Sequence, residues 1–198
     1  ITGALDALKE LPEPLAALSG DALNLALECS VAAGKIEVPS VTLTGASLSA
    51  EGNAVYKSED GGLEAHAKVN LADLKPLAKA LGVSGQGAAS LDASLQGTAG
   101  ALKSRADIRG KDIVLGALSA TRVQATLDGD LSGPKPKFSL AAIAEAKGNE
   151  VKAEALVCPT KDRIDISPFT VTVGDNRVTG QVAVVSADAA VAADVKVD

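Results

Sequence analysis

The chain has 198 residues, 46% of them hydrophobic but only 2% aromatic, and Tyr56, Phe138 and Phe169 are its whole aromatic stock. Its 25 acidic and 19 basic side chains leave a net charge of −6, and no basic run is long enough to track a phosphate backbone, so nucleic acid is not an expected partner. The apolar runs are a few residues long, far short of the roughly 20 that cross a bilayer as a helix, and Ile1 opens without a basic, signal-like segment, as expected for a piece excised from a longer chain.

Residues 3 to 18 place Leu5, Leu8, Leu11 and Leu15 at helical spacing, but Pro12 and Pro14 stop or kink any helix there, so residues 1–20 read as a short irregular or helical lead-in. From Leu23 onward the dominant signal is strict alternation, which sends successive side chains to opposite faces of a strand. Leu23, Leu25, Leu27, Cys29 and Val31 share one parity, and the comb returns at Leu63 to Val69. One break at Leu71 to Gly82 puts Leu74, Leu77, Ala78 and Leu81 on one helical face, and this predicts a short helix over 73–81 with Asp73 as its N-cap, Pro76 in its first turn and Gly82 at its end. Alternation resumes at Gly87 to Leu95, Val123 to Gly129, Val151 to Val157, Phe169 to Val173, Val178 to Val184 and Val191 to Val197. Turn chemistry separates these segments at Ala33-Gly34-Lys35, Glu59 to Gly62, Ser132-Gly133-Pro134, Lys147-Gly148-Asn149 and Gly174-Asp175-Asn176. The reading is all-β: on the order of a dozen short strands in a meandering antiparallel sheet, forming a single piece over 1–198.

Catalytic and metal chemistry find no support in the residues. Cys29 and Cys158 lack a C-x-x-C partner and read as two inert thiols, though spacing alone leaves one disulfide open, and His66 has no second imidazole to complete a zinc set. There is no G-x-S-x-G elbow and no Cys–His couple, so no enzyme activity and no cofactor are expected. His66 falls on the polar parity as an exposed side chain. Asp107, Asp112, Asp128 and Asp130 read as solvated faces and turns, because no D-x-D-x-D-G loop is present. Gly85-Gln86-Gly87 reads as a glycine pair at the start of a strand, and Pro134 and Pro136 mark a turn or edge.

The stretches "ALNLALECSVAAGKIEVPSVTLTGASLSAEGNAVY", "VNLADLKPLAKALGVSGQGAASLDASLQGTAG" and "IDISPFTVTVGDNRVTGQVAV" resemble the periplasmic repeats of the TamB family within the wider AsmA-like group. Asp73-Leu74 to Gly82, followed by Gly87, Leu91, Gly97 and Thr98, matches that family's short Leu-rich helix and the pattern after it. The resemblance covers most of residues 20 to 198. It implies a curved, mostly antiparallel sheet forming an open trough, or β-taco, lined with aliphatic side chains. It also implies a periplasmic stretch of a protein anchored at the inner membrane of Gram-negative bacteria, with phospholipid acyl chains and a TamA-like outer-membrane barrel protein as partners. Family members are thought to move phospholipid between the membranes and to aid outer-membrane protein assembly. No membrane anchor and no C-terminal family region are recognisable in this chain.

A sheet with one apolar parity has one wet and one dry face, and the dry face needs a cover: a second sheet in a sandwich, or a fatty chain in a trough. The residues expected to line the groove by apolar contact are Leu23, Leu25, Leu27, Val41, Leu43, Leu63, Val69, Leu91, Leu95, Val123, Leu127, Val171, Val173, Val182 and Val184. An extracellular structural or adhesive β-solenoid or sandwich domain is the competing reading. A transmembrane barrel is not, because three aromatics cannot ring two interfaces.

Overall fold

A computed structural model describes residues 2–4, 16–18, 20, 22–80, 82–98, 100–133, 135–160, 163–185 and 190–197. These form one sheet of thirteen antiparallel strands in chain order, each paired only with its sequence neighbours, so the sheet stays open at both edges. The strands are β1 (Thr2–Ala4), β2 (Asn24–Ala32), β3 (Lys35–Thr44), β4 (Leu48–Lys57), β5 (Gly62–Leu71), β6 (Gly85–Thr98), β7 (Ala101–Leu115), β8 (Leu118–Asp130), β9 (Lys137–Ala146), β10 (Asn149–Pro159), β11 (Arg163–Val173), β12 (Asn176–Val185) and β13 (Ala190–Val197). The sheet is curved and unclosed, an open trough. In the lead-in, Thr2–Ala4 is a strand paired with β2 and 16–18 form a helical turn. Leu5, Leu8, Leu11, Leu15, Pro12 and Pro14 lie outside the described residues.

The expected helix is α1 (Lys75–Ala80). The Asp73 carboxylate accepts the Lys75 N–H at 2.8 Å and so caps the first turn. At the other end Gly82 takes φ +71, its N–H donates to Lys79 O at 3.0 Å and the Val83 N–H to Ala78 O at 2.9 Å. That pair of bonds is a Schellman closure, which needs the left-handed conformation that glycine adopts without strain.

Alternation alone cannot keep one face apolar across the whole sheet, because three strands change phase. In β3 the register moves from Val38↔Ala54 to Val41↔Gly52, so one extra residue sits at Pro39–Ser40, a place where proline's missing N–H costs no ladder bond. In β7 it moves from Gln86↔Val114 to Ala88↔Lys111, with Asp112 at φ 52. In β11 it moves from Ile166↔Val182 to Phe169↔Gly180 around Ser167–Pro168. Each bulge swaps the parity that faces inward, so Ile36 and Val38 join Val41 and Leu43, and Ile164 and Ile166 join Phe169, Val171 and Val173.

The chain exposes 12744 Å², where a compact monomer of this length exposes about 8,600 Å². The described residues form no second sheet. Among them the fully buried apolar side chains are Leu18, Leu23, Leu48 and Ala78. All four lie at one rim, where the 16–20 segment packs on the β3–β4 turn through Ser47 N–H to Leu18 O at 3.1 Å and α1 lies against Gly85.

Candidate functional site

Residues directly opposite each other in antiparallel strands project to the same side, so the register fixes which side chains share a face. One row runs Leu25, Leu43, Ala50, Val69, Leu91, Ile108, Ala125, Ala142, Ala153, Val171 and Val178, crossing eleven strands without a polar residue. Beside it runs Leu27, Val41, Gly52, Ala67, Ala93, Ala106, Leu127, Leu140, Ala155, Phe169 and Gly180. A third row carries Ala54, Ala65, Leu95, Ser104, Gly129, Phe138, Val157, Ile166 and Val182. Its hydroxyl, Ser104, is the polar exception. At roughly 4.8 Å per strand a row measures about 48 Å along the sheet.

Fourteen of the fifteen lining residues expected from the sequence fall on this face. Leu25, Leu27, Val41, Leu43, Leu63, Val69, Leu91, Leu95, Val123, Leu127, Val171, Val182 and Val184 are half-buried there, and Val173 is exposed at the rim. Leu23 is the odd one out: it precedes β2 and is buried in the closed rim with Leu18 and Leu48, so it offers no open surface. The face also takes in Ile36, Val38, Ile108, Phe138, Leu140, Val151, Ile164 and Ile166. Pro39 and Pro168, each set inside an apolar strand, are the sequence marks of the bulges that bring Ile36, Val38, Ile164 and Ile166 into line.

The face is crowded by its own side chains. Ala54, Ala65, Ala93, Ala106 and Ala125 are half-buried although the described residues form no second sheet above them, whereas Ala141, which points the other way, is exposed. Both phenylalanines lie against glycines of the neighbouring strand. A Cβ at Gly129 would stand 2.8 Å from the Phe138 ring, and one at Gly180 would stand 3.0 Å from the Phe169 ring. The rings therefore occupy space that side chains would otherwise fill.

The opposite face is ionic and wet. The His66 ring meets Asp92 at 2.7 Å. Arg105 bridges two strands, donating to Asp107 and to Asp128 at 3.1 Å each, and the Thr126 hydroxyl donates to Asp107 at 2.8 Å. Hydrogen bonds from Arg105, then from Thr126, hold the Asp107 carboxyl below the usual carboxylate range, and Asp107 in turn raises the Arg105 guanidinium. These groups sit in solvent and salt screens them, so they set the character of the face more than its stability.

No group of three or more potential metal-ligating side chains converges among the described residues, and Cys29 and Cys158 are unpaired thiols on β2 and β10, eight positions apart in the strand order. No helix among the described residues is long and apolar enough to cross a membrane. Compared with family models, with curated proteins and with solved structures, the chain finds no match in any of the three.

Proposed function

We propose that the apolar face of this sheet holds hydrocarbon: the chain is a periplasmic bridge segment, similar to the TamB family, that shields phospholipid acyl chains in transit between two membranes. The observation that supports this reading most is the register. Two rows stay apolar across eleven strands, the bulges in β3 and β11 bring Ile36, Val38, Ile164 and Ile166 onto the same side, and the described residues form no second sheet to cover it. An apolar surface of this extent, with no second sheet over it among the described residues, is matched by a ligand that is itself apolar.

The energetics suit passage. Burying one methylene is favourable by about 0.8 kcal/mol relative to water, so a chain of about 14 methylenes gains roughly 11 kcal/mol from the trough over water and close to nothing over a bilayer interior. Ala, Val, Leu and Ile walls offer no directional partner that would arrest a sliding chain, and of the three rings on this side Phe138 and Phe169 are seated against glycines while Tyr56 lies exposed beside Ile36 and Leu63. The outer-membrane partner and the role in outer-membrane protein assembly belong to the same proposal, through parts of the longer protein.

Photo-crosslinking in cells tests it. A photoreactive side chain at Leu127 or Val171 is expected to yield phospholipid adducts, and one at Ala141 on the ionic face is expected to yield none. Glycan or host-protein adducts from the inner positions, with no lipid, would replace the conduit by an adhesive domain.

A further inference from the structure

The β7–β8 hairpin ends in one of the two most exposed apolar clusters of the described residues, the other being Val31, Ile36 and Tyr56. Leu115 and Leu118 are direct partners across the two-residue turn Gly116–Ala117, and they are 44% and 76% exposed. Val83, 47% exposed, is brought beside them because the Gly116 N–H donates to Ser84 O at 2.8 Å. A Cβ at Gly85 would meet both Leu115 and Ala78, so α1 supports the tip from the inner side. On the other side β9 pairs with β8 only from Arg122 onward and the Thr121 hydroxyl donates to Glu145 O at 3.2 Å, so Leu118 to Ala120 extend past the last residue of β9 by roughly 10 Å.

Charge decides what such a tip meets. The chain as a whole is −6, yet the exposed side chains behind this corner are Lys75, Lys79, Lys111, Arg122 and Lys147 against Asp73, Asp112, Glu145 and Glu150, and the Asp73 carboxylate is already turned onto the Lys75 N–H. Apolar side chains at a tip with cations set behind them suit a bilayer surface carrying anionic head groups: the leucines enter the boundary region and the ammonium groups stay at the phosphates. The hairpin also meets the backbone requirement of that environment at its turn, since the Gly116 N–H is bonded within the protein.

We infer that Val83, Leu115 and Leu118 form a membrane-contact tip that seats this rim of the sheet on an anionic lipid surface. The chain holds no tryptophan, so Leu118→Trp supplies a clean reporter. With vesicles of phosphatidylcholine and phosphatidylglycerol, the fluorescence of the L118W chain is expected to shift to the blue, and the 198-residue chain is expected to co-sediment more strongly than with phosphatidylcholine alone. Leu115→Ser with Leu118→Ser is expected to weaken binding about tenfold or more, and Lys75→Gln with Lys79→Gln is expected to lower the preference for the anionic vesicles. Leu118→Ser alone, at a position open to solvent, serves if the double variant loses its strand signal in circular dichroism. The inference is overturned if the chain binds neither vesicle, if the L118W emission stays unshifted, if the serine variants bind like the parent, or if they dissociate a dimer of the chain. The crosslinking test of the acyl-chain reading uses a different readout on different residues, so either proposal fails without the other.

Discussion

Phe138 lies over Gly129, its direct partner across β8 and β9, so closely that a Cβ on the glycine would stand 2.8 Å from the ring edge. The same relationship joins Phe169 to Gly180 across β11 and β12. Among the described residues these rings have no opposing sheet to pack on, and a glycine in the next strand is the neighbour that lets a ring lie down. Gly129→Ala is therefore expected to raise the Phe138 ring and turn the Ser104 hydroxyl, at a cost of about 1–3 kcal/mol for overpacking. Gly180→Ala meets the Asp194 backbone carbonyl as well as the Phe169 ring, and backbone yields less than a hydroxyl, so its loss is expected to be the larger. Urea midpoints of the two variants against the parent check the order.

The strands were legible because alternation is a local property: each comb, such as Leu63 to Val69 or Phe169 to Val173, declares its own inward parity. The phase between combs was not legible from alternation, since one extra residue at Pro39–Ser40, Asp112 or Ser167–Pro168 reverses it. That is why Ile36, Val38, Ile164 and Ile166 escaped the sequence reading of the lining. Leu23 shows the converse limit: it shares parity with Leu25, but the tertiary closure of the 16–20 segment on the β3–β4 turn, where Gly20 meets Ala46, buries it. The Leu115–Leu118 tip left no periodic signal either, because a two-residue turn is too short to show one.

The capping of α1 gives a local prediction. Asp73→Ala removes the acceptor for the Lys75 N–H and is expected to cost the helix about 1 kcal/mol. Gly82→Ala forces φ +71 on a residue with a Cβ, at about 1 kcal/mol. Because α1 touches the sheet chiefly at β6, the loss is expected to stay local: amides of residues 78–83 exchange faster with solvent while the amides of β8 and β9 keep their protection. Uniform acceleration across the sheet would show the helix to be part of the global folding unit.

The ionic face gives a pH prediction whose sign follows from Asp107. Arg105 and Thr126 hold its carboxyl below the ordinary value, so the folded state favours the charged form. That contribution is fully present above the unfolded carboxylate value of about 3.9 and is lost as pH falls through the lower, folded value. Asp130, held down by its bonds from Ser132, adds in the same direction. The urea midpoint of the parent is expected to fall on acidification below about pH 4, with a shallower slope for Asp107→Asn. Added salt is expected to narrow the difference, since both partners are exposed. Equal slopes for parent and variant would assign the acid response to other carboxylates.

Neighbouring residues of β9 give the sharpest test of the single layer, because Leu140 and Ala141 project to opposite faces of one strand. Leu140 pairs with Leu127 and Ala155 on the apolar face, and Ala141 pairs with Thr126 and Glu154 on the ionic one. In a sandwich, Leu140→Asp would bury an unpaired charge and cost several kcal/mol, enough to unfold a domain of ordinary stability. On an open face the carboxylate reaches water, so Leu140→Asp is expected to fold with a circular dichroism spectrum matching the parent and to lose about 1–2 kcal/mol of the leucine's apolar contacts. Its effect belongs to the hydrocarbon instead: phospholipid adducts from a photoreactive group at Val171 are expected to fall sharply in the Leu140→Asp chain, since an acyl chain passing that point would have to strip water from a carboxylate. Ala141→Asp is expected to leave both the fold and the adducts as they are. A Leu140→Asp chain that unfolds would mean the apolar face is covered after all, and one that folds and still gives the parent's adducts would mean lipid reaches Val171 without passing Leu140.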